Sequence, residues 1–500
     1  MRSAATIATS SLLASVAQAQ VVQWDIQKRQ SQPKEGIVKR AASTYSEVIT
    51  NEETRGGYFA TVAIGTPSQN LTLQLDTGSS DIWVPSSSAS VCETSGRASS
   101  SSSSSGCTFG SFLCAVDSAD STTYTVVGEG EFSIAYVDGS SSKGDYFTDN
   151  FEIGAASLTN VTMGLGEETD IAYGLVGIGY AINEAIVGTE QSYSAAYDNL
   201  PVQMQNEGLI ATNAYSLWLN DLDASTGSIL FGGIDTGKYE GDLSRIDVIP
   251  DGTSGRYSSF MVYLTSLTAN SSSGSDSLSS SAFPIPVVLD SGTTLSYLPT
   301  DLAKQVWEEV GAIYSSDVGS AVLPCSMASS KGQFVFQLGG SNGPTISVGM
   351  DELVLSLVTS GTGPTFTSGQ YSGKEACQFG IQNFSSDPFL LGDTFLRSAY
   401  VVYDLTNNQI GIAKTDFNST TSNVVAFASA GAEIPSATAV ANQVTSSAGS
   451  GSATTPTYGA SAGFGAESIA STVPAFDWAQ VGVMGAATLF MFVGSGFFLL

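Results

Sequence analysis

Leu75-Asp76-Thr77-Gly78-Ser79-Ser80-Asp81-Ile82-Trp83-Val84-Pro85 and Leu289-Asp290-Ser291-Gly292-Thr293-Thr294-Leu295-Ser296-Tyr297-Leu298-Pro299 are two copies of one pattern. Each has an Asp, then hydroxyl, Gly, hydroxyl, and closes on a Pro. Downstream, each copy is followed by an apolar pair running into glycine, Leu175-Val176-Gly177 and Leu390-Leu391-Gly392. Gly177 follows Asp76 by 101 residues, and Gly392 follows Asp290 by 102. Two motifs repeated at nearly equal internal spacing predict two homologous lobes of one design, 41–240 and 241–415.

The text around the motifs is made of short β-branched and aromatic runs bounded by Gly, Pro, Asn and Asp. Examples are 58–64, 71–75, 228–231 and 400–403. Helical periodicity is scarce, the best stretch being Leu302 to Ile313, so the predicted class is mainly β. One Asp in a Gly-flanked turn after an apolar strand is ordinarily a turn former. Two of them in corresponding places of duplicated lobes meet at the lobe interface through a pseudo-two-fold axis. Carboxylates that close cannot both ionise cheaply, so they share a proton and split their titrations. One then serves as base towards a water while the other, protonated, hydrogen-bonds a substrate carbonyl. Around Asp76 and Asp290, Gly78 and Gly292 permit close backbone approach. The Thr77 and Ser291 hydroxyls can cross-bond the two loops, and Ser79 and Thr293 can donate outer hydrogen bonds to the pair.

Composition narrows the chemistry further. The 500 residues include no histidine, which removes Ser-His-Asp and Cys-His catalysis, His-ligated zinc hydrolysis and any imidazole base. The formal charge of −29 leaves no basic footprint for nucleic acid and suits acidic surroundings. No cofactor and no metal are expected.

With these residues in place, the chain resembles the pepsin-type aspartic endopeptidases, and within them the fungal candidapepsins and the GPI-anchored yapsins. LQLDTGSSDIWVP, AYVDGSSSKGDYFTDNF, YGLVGIGY, GSILFGGIDTGKYEG, VVLDSGTTLSYLP and FLLGDTFLRSAYVVYDL fall in family order over about 55–415. The resemblance implies a bilobal β fold with a cleft between lobes, polypeptide substrates and a monomer. It also implies a flap hairpin carried by Tyr136, Asp138 and Gly139, with Trp83 as partner for the Tyr136 hydroxyl. Val137 stands where the family usually has Gly. The resemblance pairs Cys325 with Cys377. Five cysteines leave one over: in the first lobe Cys92–Cys107 is the favoured bridge, with Cys92–Cys114 open.

The two ends read as addresses. Residues 1–19 have the basic start, apolar middle and A-x-A site of a secretory signal. Residues 20–40 read as a propeptide cut after the dibasic Lys39-Arg40; Lys34 and Lys39 are candidates to face the aspartates, as lysines do in the family's zymogens. Residues 416–470 are rich in Ser, Thr, Ala and Gly, a composition unable to bury a core, and read as an O-glycosylated stalk. Residues 471–500 end in the apolar run Val481–Leu500, and no Lys or Arg follows Lys414. That arrangement matches a GPI-attachment signal better than a retained membrane span, with Ser468 as the preferred attachment site and Gly459 and Ser461 as rivals. Sequons at Asn70, Asn160, Asn270, Asn383 and Asn418 fit a glycosylated, secreted protein. The expected function is a cell-surface aspartic endopeptidase working at acidic pH. A Lys/Arg-selective processing protease and a catalytically inactive cell-wall binding protein are the alternatives.

Overall fold

The computed structural model describes residues 22–28, 57–89, 91–92, 108–109, 112–113, 116–136, 139–154, 156–171, 173–224, 226–316, 318–357, 363–446, 456–465 and 476–477. It is mainly strand, in a 16-stranded sheet that includes the first lobe, an 8-stranded sheet in the second and three smaller sheets. This is the bilobal pepsin-like aspartic protease architecture.

In both lobes the strand that ends at the aspartate motif is buried along its length. Gln69–Asp76 is closed off from Leu71 onward, and Ile285–Leu289 is buried except at Pro286. A strand covered on both faces favours a continuous apolar run, which IPVVL supplies; in LTLQL the buried Thr72 and Gln74 interrupt it, and Gln74 spends its amide on the Gly292 carbonyl. The apolar-pair-Gly motifs explain themselves here. Leu175–Gly177 lies parallel to Gln69–Asp76, with Gly177 opposite Asp76, and Phe389–Leu391 lies parallel to Ile285–Leu289. A Cβ on Gly177 would stand 2.6 Å from the Asp81 carbonyl oxygen, and one on Gly392 2.3 Å from that of Thr293. Both positions therefore need glycine for backbone to pack directly on the Asp loops.

The lobes join through strands from both halves. Ala214–Trp218 pairs antiparallel with Ala399–Asp404, which pairs with Gln409–Thr415. On the other side of Ala214–Trp218 lies Thr226–Phe231, whose far edge is paired by Val22–Lys28. Rings of Tyr215, Phe260 and Tyr403 pack at this seam, with centroids 4.6 to 6.3 Å apart.

The predicted helix forms at Thr300–Val310, burying Leu302, Ala303, Val306, Trp307 and Val310. It stops short of Ile313 because Gly311 takes a left-handed conformation (φ 71°) that ends the helix. The Cys325–Cys377 disulfide is formed. Cys92 is also disulfide-bonded; Cys107 and Cys114 both lie outside the described residues.

One expectation is corrected. Residues 416–446 and 456–465, read from composition as a stalk with no core to bury, lie on the body. Val424–Ala426 pairs with Gly233–Asp235, and Ala437–Ala439 runs parallel to Tyr239–Asp247. Phe427, Ile434, Ala460 and Phe464 are buried. The composition argument fails because this segment needs no core of its own. Open strand edges take up its backbone groups, and a few anchors enter cores the lobes already possess.

Candidate active site

The two Asp loops meet across the lobe junction through four hydrogen bonds that obey the pseudo-two-fold. The Thr77 amide donates to Ser291 Oγ (3.2 Å) and the Ser291 amide to Thr77 Oγ1 (2.9 Å). The Thr77 hydroxyl donates to the Leu289 carbonyl (3.0 Å), and the Ser291 hydroxyl to that of Leu75 (3.1 Å). A further link runs from Gln74 Nε2 to the Gly292 carbonyl, 3.1 Å away. Each hydroxyl thus accepts from one loop and donates to the strand behind it, locking two chain segments 214 residues apart.

This grip sets the carboxylates face to face. Asp76 Oδ1 accepts from the Gly78 amide (2.7 Å) and Asp290 Oδ1 from that of Gly292 (2.8 Å). The other oxygens accept from Ser79 Oγ and from Thr293 Oγ1, the latter at 2.6 Å. Both aspartates are fully buried. Burial pushes both carboxyls above the ordinary carboxylate range, and at Asp76 the charge of Asp290 pushes further in the same direction. Raised together and acting on one another, the two carboxyls titrate as one pair. Two carboxyls holding one proton, each fixed by an amide and a hydroxyl, can give and take a proton at one place.

The flap residues lie over the first lobe. Trp83 Nε1 donates to the Tyr136 hydroxyl (2.6 Å), as expected, and the negative charge of Asp76 reaches the same hydroxyl. Gly139 (φ 87°) donates its amide to the Tyr136 carbonyl (2.9 Å). Asp138 lies outside the described residues, as do Cys107, Lys34, Lys39, Arg40, Ser468 and the run 481–500. Of the sequon asparagines, Asn70, Asn160 and Asn418 are exposed, and Asn270 and Asn383 are half-buried. The Asn383 amide lies 3.4 Å from Thr300 Oγ1. Among the described residues no helix is long and apolar enough to cross a membrane.

Sequence reading passed over Asp81, the last polar residue of the first motif. It is fully buried, accepting from the Tyr146 hydroxyl (3.0 Å), the Tyr197 hydroxyl (2.9 Å) and the Ala185 amide (2.7 Å). Beside it, burial and the charge of Asp81 push buried Glu184 up to about 10. The only signal was positional: an Asp inside an apolar strand start, where the second copy has Leu295.

A buried carboxyl pair presented by twinned loops at the junction of two β lobes defines a class of hydrolase that works without histidine. The comparisons agree. The eukaryotic aspartyl protease family model matches residues 57–415, and the chain belongs to that family of aspartic-type endopeptidases. It is 40% identical to the probable aspartic-type endopeptidase opsB of Aspergillus oryzae, over 83% of this chain and 79% of that one. Aspartic proteinase 3 of Saccharomyces cerevisiae is 33% identical over 81% and 77% of the two chains. Secreted aspartic protease 8 of Candida albicans is 34% identical over 73% and 77%.

Proposed function

We propose that the chain is a secreted, cell-surface endopeptidase that hydrolyses peptide bonds at acidic pH with Asp290 as base and Asp76 as acid. The observation that carries this reading is the cross-lobe grip of Thr77 and Ser291, which supports two buried carboxyls around one proton. Asp290 takes a proton from water as the oxygen attacks the scissile carbonyl, and Asp76 gives its proton to the carbonyl oxygen. As the C–N bond of the resulting diol breaks, one diol hydroxyl returns its proton to Asp76 and Asp290 passes the proton taken from water to the leaving amine nitrogen. Gly78, Ser79, Gly292 and Thr293 hold the carboxyls in orientation, and Tyr136 covers the cleft. Activity falls towards neutral pH as the pair loses its proton, since no histidine can replace it.

Secretion through the 1–19 signal, activation by cleavage after Arg40, glycans on the sequons and a GPI anchor at Ser468 complete the proposal. Its support is the order of these motifs along the chain, together with relatives whose names include a secreted protease. Preference for Lys or Arg at the cleaved bond is the second reading, favoured by the charge of −29, which draws cationic peptides to the surface. The test is hydrolysis of a denatured protein across pH 3–8 by material processed after Arg40. Cleavage confined to acidic pH and blocked by a statine-type inhibitor is expected. No cleavage at any pH would leave the inactive binding protein as the better reading, and a peptide-library profile decides basic selectivity.

A further inference from the structure

The C-terminal segment 456–465 is fastened to the second lobe at a second carboxyl pair, remote from Asp76 and Asp290. Asp276, on the strand Gly274–Leu278, accepts from Thr457 Oγ1 through one oxygen and from the Ala460 amide through the other (2.6 Å). Glu309, on the helix Thr300–Val310, accepts from Ser461 Oγ at Oε2 (2.8 Å). Its other oxygen, Oε1, is buried and meets no donor, yet the two carboxyls lie within hydrogen-bonding reach of each other. Two acceptors facing each other away from water require a proton between them, and the geometry gives it to Glu309, leaving Asp276 charged to receive the tail's amide and hydroxyl. The rest of the seat is neutral. Ser271 Oγ donates to the Ala460 carbonyl (2.6 Å) and Ser273 Oγ to that of Gly459 (2.7 Å). The Phe464 ring stacks on Phe334 with centroids 5.3 Å apart.

We propose that Asp276 and Glu309 form a proton-held latch, closed in acid and opened by ionisation of Glu309, that fastens or releases the segment 456–465 from the catalytic body. The titratable groups that act most strongly at this spot are Asp276, Glu308, Glu309 and Tyr458, while Lys304 lies on the same helix as Glu309 and Lys331 adjoins Gly332 at the Phe464 contact. Ionising Glu309 therefore adds a second negative charge beside that of Asp276. Burial, and the charges of Asp276 and Glu308, push Glu309 up to about 7, while the tail's donors hold Asp276 below the usual range. A raised carboxyl stabilises the docked tail in full below its free value, and that stabilisation is lost as pH rises through about 7. Asp276 loses its hold only in stronger acid, as pH falls through its depressed value. The latch is thus tightest in acid, weakens as pH rises above the free carboxyl value and is fully open above about 7. Residues 456–465, extended at about 3.5 Å each, then add roughly 35 Å to the reach between the body and whatever follows. The latch does not depend on the catalytic assignment, because no residue of either Asp loop takes part.

The test is amide hydrogen exchange on the full chain from pH 5 to 8, normalised to the unfolded chain and read on peptides covering 456–465. Protection is expected to fall by up to about tenfold per pH unit from pH 5 to about 7 and to level off above that. Glu309→Gln, whose amide can both donate to Asp276 and accept from Ser461, should keep the tail protected to pH 8 with activity at acidic pH unchanged. Phe464→Ala should weaken protection at every pH without moving the midpoint. Flat protection in the wild type overturns the latch. So does Glu309→Gln that titrates like wild type, or that leaves the tail unprotected throughout.

Discussion

The two Asp loops are nearly identical at the carboxyls and unlike one layer behind. Each aspartate takes one backbone amide and one hydroxyl, and the same crossed hydroxyls tie the loops together. Five residues further on, the first lobe has Asp81 in a polar nest of Tyr146, Tyr197 and Ala185. The second lobe has Leu295, packed with Val288, Tyr297, Leu355 and Leu390. Duplication preserves what touches the reacting atoms and leaves the support free to be rebuilt in either material. The polar version sits beneath the flap, close enough for the charge of Asp81 to act on Tyr136.

The largest effect comes from breaking the symmetry at the pair itself. Asp76→Asn and Asp290→Asn should each cut turnover by about 10²- to 10⁴-fold or more with near-ultraviolet dichroism unchanged. Near-wild-type turnover in either would end the assignment. Next in size is the support. Asp81→Leu gives the first lobe the residue of the second but strands three donors, those of Tyr146 and Ala185 buried and that of Tyr197 half-buried, at about 1–3 kcal/mol for each buried one. Its urea midpoint should fall well below that of Leu295→Val, which only trims a methylene-sized volume. Equal losses would mean the two supports are interchangeable. Smaller again are Gly177→Ala and Gly392→Ala, where overpacking costs about 1–3 kcal/mol. Gly392→Ala, with the closer backbone approach, should lower the thermal midpoint more.

The finest distinction is in the pH profile. If Asp290 must be ionised and Asp76 protonated, Asp290 sets the acidic limb and Asp76 the alkaline one. The Thr293 and Ser79 hydroxyls each hold their aspartate down. Thr293→Val should therefore move the acidic limb to higher pH and leave the other, while Ser79→Ala should move the alkaline limb to higher pH. A shift of roughly one unit follows from a charged hydrogen bond of about 1.5 kcal/mol. Movement of the same limb by both would dissolve the division of roles.

Much of this was legible in the sequence because duplication spells the fold twice. The paired motifs placed both aspartates and the crossed hydroxyls, and the β-branched and aromatic runs at 58–64, 71–75, 228–231 and 400–403 form strands. The partners of Asp81 were not legible. Tyr146 and Tyr197 come from 65 and 116 residues away, and nothing local distinguishes them from other tyrosines. The seating of 416–446 was invisible for a related reason. Its order is lent by the body, through Asp235 receiving the Asn423 amide (2.6 Å) and Lys238 reaching the Ser419 carbonyl (2.8 Å), so no periodicity of its own records it.

The strand Val22–Lys28 pairs with Thr226–Phe231 over six positions and touches Tyr58–Ile64 at two more. A cut after Arg40 severs its covalent link to the lobes but none of that main-chain ladder. The product is then a two-chain particle whose small chain stays by mass action alone, so its integrity depends on dilution. Once that chain departs, the far edge of Thr226–Phe231 stands open, an unpaired β edge able to recruit another strand from this molecule or from a neighbour.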